Sequence, residues 1–259
     1  MKSVGVKIDR LNSDFFYLGT NAYYKFNEQS GQFIDHKNDN DSSVLVNILK
    51  NQTGLIPNTT SYRFTGNSYI EIPFSNDFNF KNGSNDVPFS IEMLFTLTSP
   101  PNENSGIWFI TNRGQLPNIS NGFQIVYRKN RIGFYLLGNN KVITTSINNF
   151  SFKVNKKYHI VGTYDGSKKS SGINLYINSE NIINVRGSNV ENFSNSDEFV
   201  DEFPGYVNNS NPIIIGKRSW QSKGYFNGKM QLLNIAKNKV YNNKEVKSLY
   251  RNGNIRHLI

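Results

Sequence analysis

The sequence predicts an all-β, antiparallel domain with a short C-terminal helix, and three observations carry that expectation. Residues 157–164 are rich in aromatic and β-branched side chains and contain no Pro, which marks a strand. An Asp165-Gly166 turn and a polar loop lead into residues 173–178, where apolar and polar residues alternate, so the two runs form a β-hairpin. Short runs of the same kind recur from residue 62 to residue 236, in a chain rich in Asn next to Gly or Ser, the composition of turns.

Each element has its own signal. In the hairpin, Tyr158, Ile160, Gly162 and Tyr164 share one face, and His159, Val161 and Thr163 the other. Residues 62–72 read as two strands around a Gly66-Asn67 turn, with Phe64, Tyr69 and Ile72 as core candidates. In residues 88–95, Phe89, Ile91, Met93 and Phe95 lie on one face, and Ser90, Glu92 and Leu94 on the other. Residues 107–110, 122–127 and 131–136 are further strands, with Lys129-Asn130 turning between the last two, and residues 231–236 form the last strand. Phe64, Phe89, Ile91, Ile160, Tyr164 and Leu175 are the expected core, and Glu71 and Glu92 are expected to face solvent. At the end of the chain, Val246, Leu249 and Tyr250 fall at helical spacing, with Asn242 or Asn243 to cap the helix and Gly253 to end it.

Residues 157–166 resemble the "W-H-H-V-A-x-T-Y-D-G" strand of laminin-G-like, concanavalin-A-like jelly-roll domains, and residues 175–178 the "L-Y-V-D" of "L-Y-V-D-G" that follows it. Tyr158 replaces the usual Trp, and Ser179 stands where the Gly is expected. The opening 22–27, then 62–72, 88–95, 212–217, 225–230 and 243–250 are similar to that family's successive motifs, in order. Gln231-Leu232 departs from the family's Asp-Glu. The resemblance implies a two-sheet antiparallel jelly-roll sandwich spanning residues 22–259, preceded by an arm of residues 1–21 in which Phe15, Phe16 and Tyr17 are too apolar for a free tail.

The 259 residues suit one large β domain, with a core large enough to need no metal or disulfide. The absence of Cys excludes disulfides and thiolate metal sites. The first residues show no apolar leader and no run has membrane-spanning length, so the chain reads as soluble and made in a cytoplasm. Of the net charge of +10, residues 213–259 hold +9, with Glu245 their one acid. Lys239, Lys244, Lys247 and Arg251 in this basic end, with Phe15, Phe16 and Tyr17 of the arm, make a candidate docking surface for an acidic partner; a merely solvated face is the alternative. Residues 187–216 contain no Lys or Arg and read as a long excursion from the sandwich. Their acids, among them Asp197, Glu198, Asp201 and Glu202, leave three readings open: a solvated loop, a segment docked on the basic end, or an oxygen-ligand site for calcium.

Signals for catalysis are missing. Glucanases related to this fold carry an "E-x-D-x-x-E" strand for paired acid and base work, and no strand here has it. His36, His159 and His257 show no zinc-site spacing, no Gly-x-Ser-x-Gly is present, and no cofactor is implied. Binding remains. Trp108 lies in an apolar run and is expected in the core, whereas Trp220 sits in a polar basic loop. Trp220, Arg218, Lys223 and Tyr225 are therefore the candidate ligand-binding residues, with a lid over the sandwich end as the alternative for Trp220. The basic end with Trp220, Tyr225 and Tyr241 nearby also fits nucleic acid, but no nucleic-acid motif is present, and this reading ranks below the others. The resemblance implies adhesion or glycan and protein recognition, usually outside cells. Without visible secretion marks, the expectation is a non-catalytic phage virion protein (capsid decoration, head fibre or tail component), with other virion proteins or a second copy of itself as partners. A cellular lectin module at the surface is the alternative, ahead of a glucanase-type glycosidase.

Overall fold

The computed structural model describes residues 19–101, 106–114, 121–181, 185–190, 198–203, 205, 207 and 209–256, with side chains described as far as Arg251. Phe15, Phe16, Tyr17, Asp197 and His257 lie outside the described residues.

The strands run in chain order as β1 (Ala22–Tyr24), β2 (Val44–Val46), β3 (Leu49–Thr53), β4 (Thr60–Thr65), β5 (Tyr69–Ile72), β6 (Lys81–Asn82), β7 (Asn85–Asp86), β8 (Phe89–Leu97), β9 (Ile107–Thr111), β10 (Gly122–Arg128), β11 (Arg131–Gly138), β12 (Lys141–Ile147), β13 (Lys157–Tyr164), β14 (Ile173–Ile177), β15 (Glu180–Asn181), β16 (Val185–Arg186), β17 (Glu198–Phe199), β18 (Ile213–Ile215) and β19 (Asn227–Lys237), followed by helix α1 (Asn243–Arg256). The first sheet has the order β15-β14-β13-β8-β19-β4-β3, with β1 also on β19. The second has the order β16-β12-β11-β10-β9-β18-β5-β2, with β17 parallel to β12. No described helix is long and apolar enough to cross a membrane.

The inner faces meet in one aromatic core. Phe89 of the first sheet reaches Phe123 and Phe134 of the second, with ring centroids 5.8 and 6.0 Å apart, and Phe95 lies 4.6 Å from Phe109. Phe64, Phe89, Ile91, Ile160, Tyr164 and Leu175 are all buried there, as the alternation of their strands requires. Tyr164 is pinned by its hydroxyl, which donates to Asp86 (2.8 Å) while Asp86 accepts the Val207 N–H (2.9 Å). Burial pushes the Asp86 carboxyl up, against these hydrogen bonds and the Lys168 charge. Asn-rich turns connect the strands: Lys129-Asn130, Asn139-Asn140 and Asn178-Ser179 all have positive φ at both positions, which matches the twist of two-residue hairpins and suits Asn.

Three expectations, on Tyr69, the end of the helix and Glu92, are corrected, and that on Trp108 is located. Tyr69 is half-buried on the outer face, and Ile70 takes the core position beside Ile72, because Tyr69 and Ile72 fall on opposite faces of β5 and only one of the two can point inward. Trp108 is buried as expected, in a separate cluster with Val126, Tyr135, Leu137 and Val142 on the outer face of the second sheet. Helix α1 does not stop at Gly253 but runs to Arg256. Glu92 is fully buried rather than solvent-facing, because α1 and Tyr241 cover the outer face of the first sheet. There Glu92 accepts from Asn234 Nδ2 (3.1 Å) and pairs with His159 Nε2 (2.8 Å). Above them Val246 and Leu249 of α1 pack with Val161, Tyr176, Ala236 and Tyr241, each burial contributing about 1.5–3 kcal/mol. The helix starts on a capping box: Glu245 N–H donates to Asn242 Oδ1 (3.0 Å), and Asn242 N–H donates to Glu245 Oε2 (2.9 Å).

Within 187–216 the chain does return to the sandwich, through β17 and β18. Its described acids are engaged locally and not with the basic end. Glu198 pairs with Lys141, Glu202 with Lys169 (3.6 Å), and Asp201 accepts from Ser188 (3.1 Å). Among the described residues no three His, Asp or Glu side chains stand close enough to hold a metal ion.

Candidate functional site

The outer face of the second sheet carries the most unusual chemistry among the described residues. Residue Trp108 of β9 points outward, opposite to Ile107 and Phe109, and its Nε1–H donates to Gln124 Oε1 on β10 (2.9 Å). The segment 217–224 folds back over it. Its ends are fixed by backbone: Arg218 N–H donates to Lys223 O (3.2 Å), and Trp108 N–H donates to Gly224 O (3.0 Å). Gly224 has φ +69, and a Cβ there would enter the Trp108 ring, so only Gly lets the loop lie this close. From the other side Ser219 Oγ–H donates to Arg113 O (2.6 Å), tying the loop to the end of β9.

These anchors stack two indoles and two guanidinium groups. Arg113 and Arg218 lie 4.6 and 4.1 Å from the centroid of Trp220, and Arg218 also lies 5.1 Å from that of Trp108. The result is a ladder, Arg113–Trp220–Arg218–Trp108. Cation–π attraction of about 0.5–1 kcal/mol per contact holds each rung at partly exposed sites, and more where desolvated. Arg218 is oriented further by its Nη1–H bond to Gln221 Oε1 (3.0 Å). Lys217 extends the cationic strip, with its ammonium 4.2 Å from the centroid of Tyr69. Deeper on the same face, Tyr135 has its hydroxyl pushed up by burial, with Arg131 and Arg128 nearby acting against that shift.

The candidate ligand residues come together only in part. Arg218 and Trp220 are rungs of the ladder. Lys223 is exposed and joins through its backbone carbonyl, and Tyr225 is half-buried beyond the loop. Trp220 engages cations with its π surface, so what the ladder offers a ligand is the half-exposed Arg218 guanidinium held in a fixed plane, with Arg113 buried behind Trp220 as its support. Arg113 is the functional candidate that sequence reasoning missed. It is far from Trp220 in sequence and carries no local motif, and the Gly114 that follows it is the sole hint of a tight backbone. The docking candidates lie elsewhere. Lys244, Lys247 and Arg251 are exposed on α1, whereas Lys239 is ion-paired with Glu245.

A model of the concanavalin A-like lectin/glucanases superfamily matches residues 64–247. Among solved structures, the binding domain of botulinum neurotoxin serotype D superposes with a TM-score of 0.61 at 16% identity, over 91% of this chain and 51% of that one. The binding domain of Paraclostridial Mosquitocidal Protein 1 gives 0.59 at 17%, over 91% and 52%. Trypanosoma rangeli sialidase in complex with sialic acid gives 0.61 at 16%, over 92% and 34%. The chain thus spans about half of the toxin binding domains and about a third of the sialidase. Identities this low establish a shared fold. No curated protein matches the chain.

Proposed function

Because the chain belongs to the concanavalin A-like lectin/glucanase superfamily, we propose that it is a non-catalytic recognition module whose ligand is an anionic glycan, bound at the ladder on the outer face of the second sheet. The observation that carries this reading is the ladder itself. A stacked guanidinium keeps its edge N–H groups free of rotamer disorder, and their fork geometry matches a carboxylate or sulfate. The carboxylates support the non-catalytic half of the reading: Glu92 is sealed beneath α1, and Glu198 and Glu202 are paired with lysines. The setting we propose is a phage particle, where such a module decorates the capsid or belongs to a fibre or tail; mass spectrometry of purified particles tests this.

Binding of oligosaccharides carrying carboxylate or sulfate, against neutral oligosaccharides of equal length, tests the ligand. We expect acidic chains to bind and neutral ones not. Arg113→Ala and Arg218→Ala should each weaken binding about tenfold or more, or about 1.4 kcal/mol. Equal binding of neutral chains, or variants that bind like the parent, would overturn the reading, as would hydrolysis of any chain abolished by one Glu or Asp substitution.

A further inference from the structure

We infer that the exposed face of helix α1 is a second, independent recognition surface, which docks an extended acidic segment of a partner protein on the side of the sandwich opposite the ladder. The buried face of α1 rests on Val161, Tyr176 and Ala236, the outer face of the first sheet. The ladder stands on the outer face of the second. A partner held on α1 therefore leaves the ladder uncovered.

Charge placement carries the inference. Residues 213–259 hold ten Lys and Arg against Glu245 alone. That one acid is engaged twice, by Lys239 and by the N–H of Asn242 in the capping box. Lys244, Lys247 and Arg251 follow at i, i+3 and i+7, which aligns them in one stripe. All three are exposed, and among the described residues none pairs with a carboxylate. With Asn243 and Ser248 they line an open depression on the helix surface. Like charges at this spacing repel across the helix surface and weaken it by a few tenths of a kcal/mol per pair, a cost that an acidic partner would remove.

Geometry selects the kind of partner. The stripe is about 10 Å long, at a rise of about 1.5 Å per residue. Acids on every second residue of an extended chain recur each ~6.6 Å, while the cations step by about 4.5 and 6 Å along the helix, a difference that long Lys and Arg side chains span. Tyr250, 43% exposed, stands beside the stripe with its ring 5.7 Å from that of His159, and gives the segment an apolar contact. Charge would set the rate and orientation of docking, and Tyr250 the hold.

The test uses the whole chain and a short fluorescent polyglutamate peptide, followed by anisotropy over a salt series. Reversal of the stripe (K244E with K247E and R251E) should weaken binding by at least about tenfold and remove most of its salt dependence. Thermal unfolding checks the fold. If the reversed chain does not fold, neutralisation to Gln at the same three positions replaces it and should weaken binding in the same direction. Arg113→Ala with Arg218→Ala must leave peptide binding unchanged, which separates this surface from the ladder. The inference is overturned by unchanged affinity and salt slope in the stripe variants, by loss of peptide binding in the ladder variant, or by tighter binding of single-stranded DNA or anionic vesicles than of the peptide.

Discussion

Over the outer face of the first sheet, helix α1 lays Val246 and Leu249 onto Val161, Tyr176 and Ala236 and closes over a hydrogen-bonded Glu92, His159 and Asn234. Over the outer face of the second sheet, the loop 217–224 covers Trp108 with a guanidinium group and leaves Arg218 and Trp220 half-exposed. Both faces needed a cover, because both present large apolar or aromatic surface. The first cover is apolar and shuts its polar groups away from water. The second is cationic and keeps polar groups at its edge. Polar groups of the first kind serve the fold, since no ligand reaches them, while groups of the second kind are placed where a ligand can compete for them.

The sharpest way to break this comparison is to remove Glu92. Glu92→Ala leaves His159 and Asn234 buried without their carboxylate partner, and loss of one member of a buried pair costs about 3–5 kcal/mol. Urea unfolding would show the midpoint fall, with glycan binding per folded molecule unchanged. A cost below about 1 kcal/mol, within the range of exposed pairs, would mean that the helix does not seal this face.

Next in size is Gly224→Ala. The new methyl would meet the Trp108 ring, at a φ that L side chains rarely adopt. Overpacking of this kind costs about 1–3 kcal/mol. The loop must move off Trp108 to relieve it, so Arg218 leaves its place and acidic-glycan binding falls with stability. Loss of stability without loss of binding would separate the loop from the ligand site.

The strands, the hairpin around β13 and β14, and the core set were legible in the sequence because alternation and turn chemistry are local. Ser90, Glu92 and Leu94 were placed correctly on the face opposite Phe89 and Ile91. What covers that face comes from about 150 residues later, and alternation cannot report it, so Glu92 read as exposed. The same distance hid Arg113. Trp220 and Arg218 were visible as a basic aromatic loop, yet nothing near them names the β9 end onto which they fold. Gly253 misled for a different reason: glycine weakens a helix by about 1 kcal/mol but does not force its end.

The smallest effect on stability should come from Arg218 itself. Its guanidinium contacts Trp220 and Gln221 of the surface loop and the buried Trp108 of β9. Contacts of this class are worth about 0.5–1 kcal/mol each, and water takes over part of what is lost. Arg218→Ala should therefore shift the unfolding midpoint by no more than about 1–2 kcal/mol, far less than Glu92→Ala. Arg218→Lys separates charge from geometry. The lysine keeps the positive charge but has neither the planar fork nor the flat surface that stacks between indoles. If charge alone recruits the glycan, the Lys variant binds like the parent chain. If the ladder presents an aligned fork, Lys binds closer to Ala than to Arg, while stability stays within a few tenths of a kcal/mol of the Ala variant. The second result is the one the ladder requires, because its two indoles hold the guanidinium plane, and a point charge has no plane to hold.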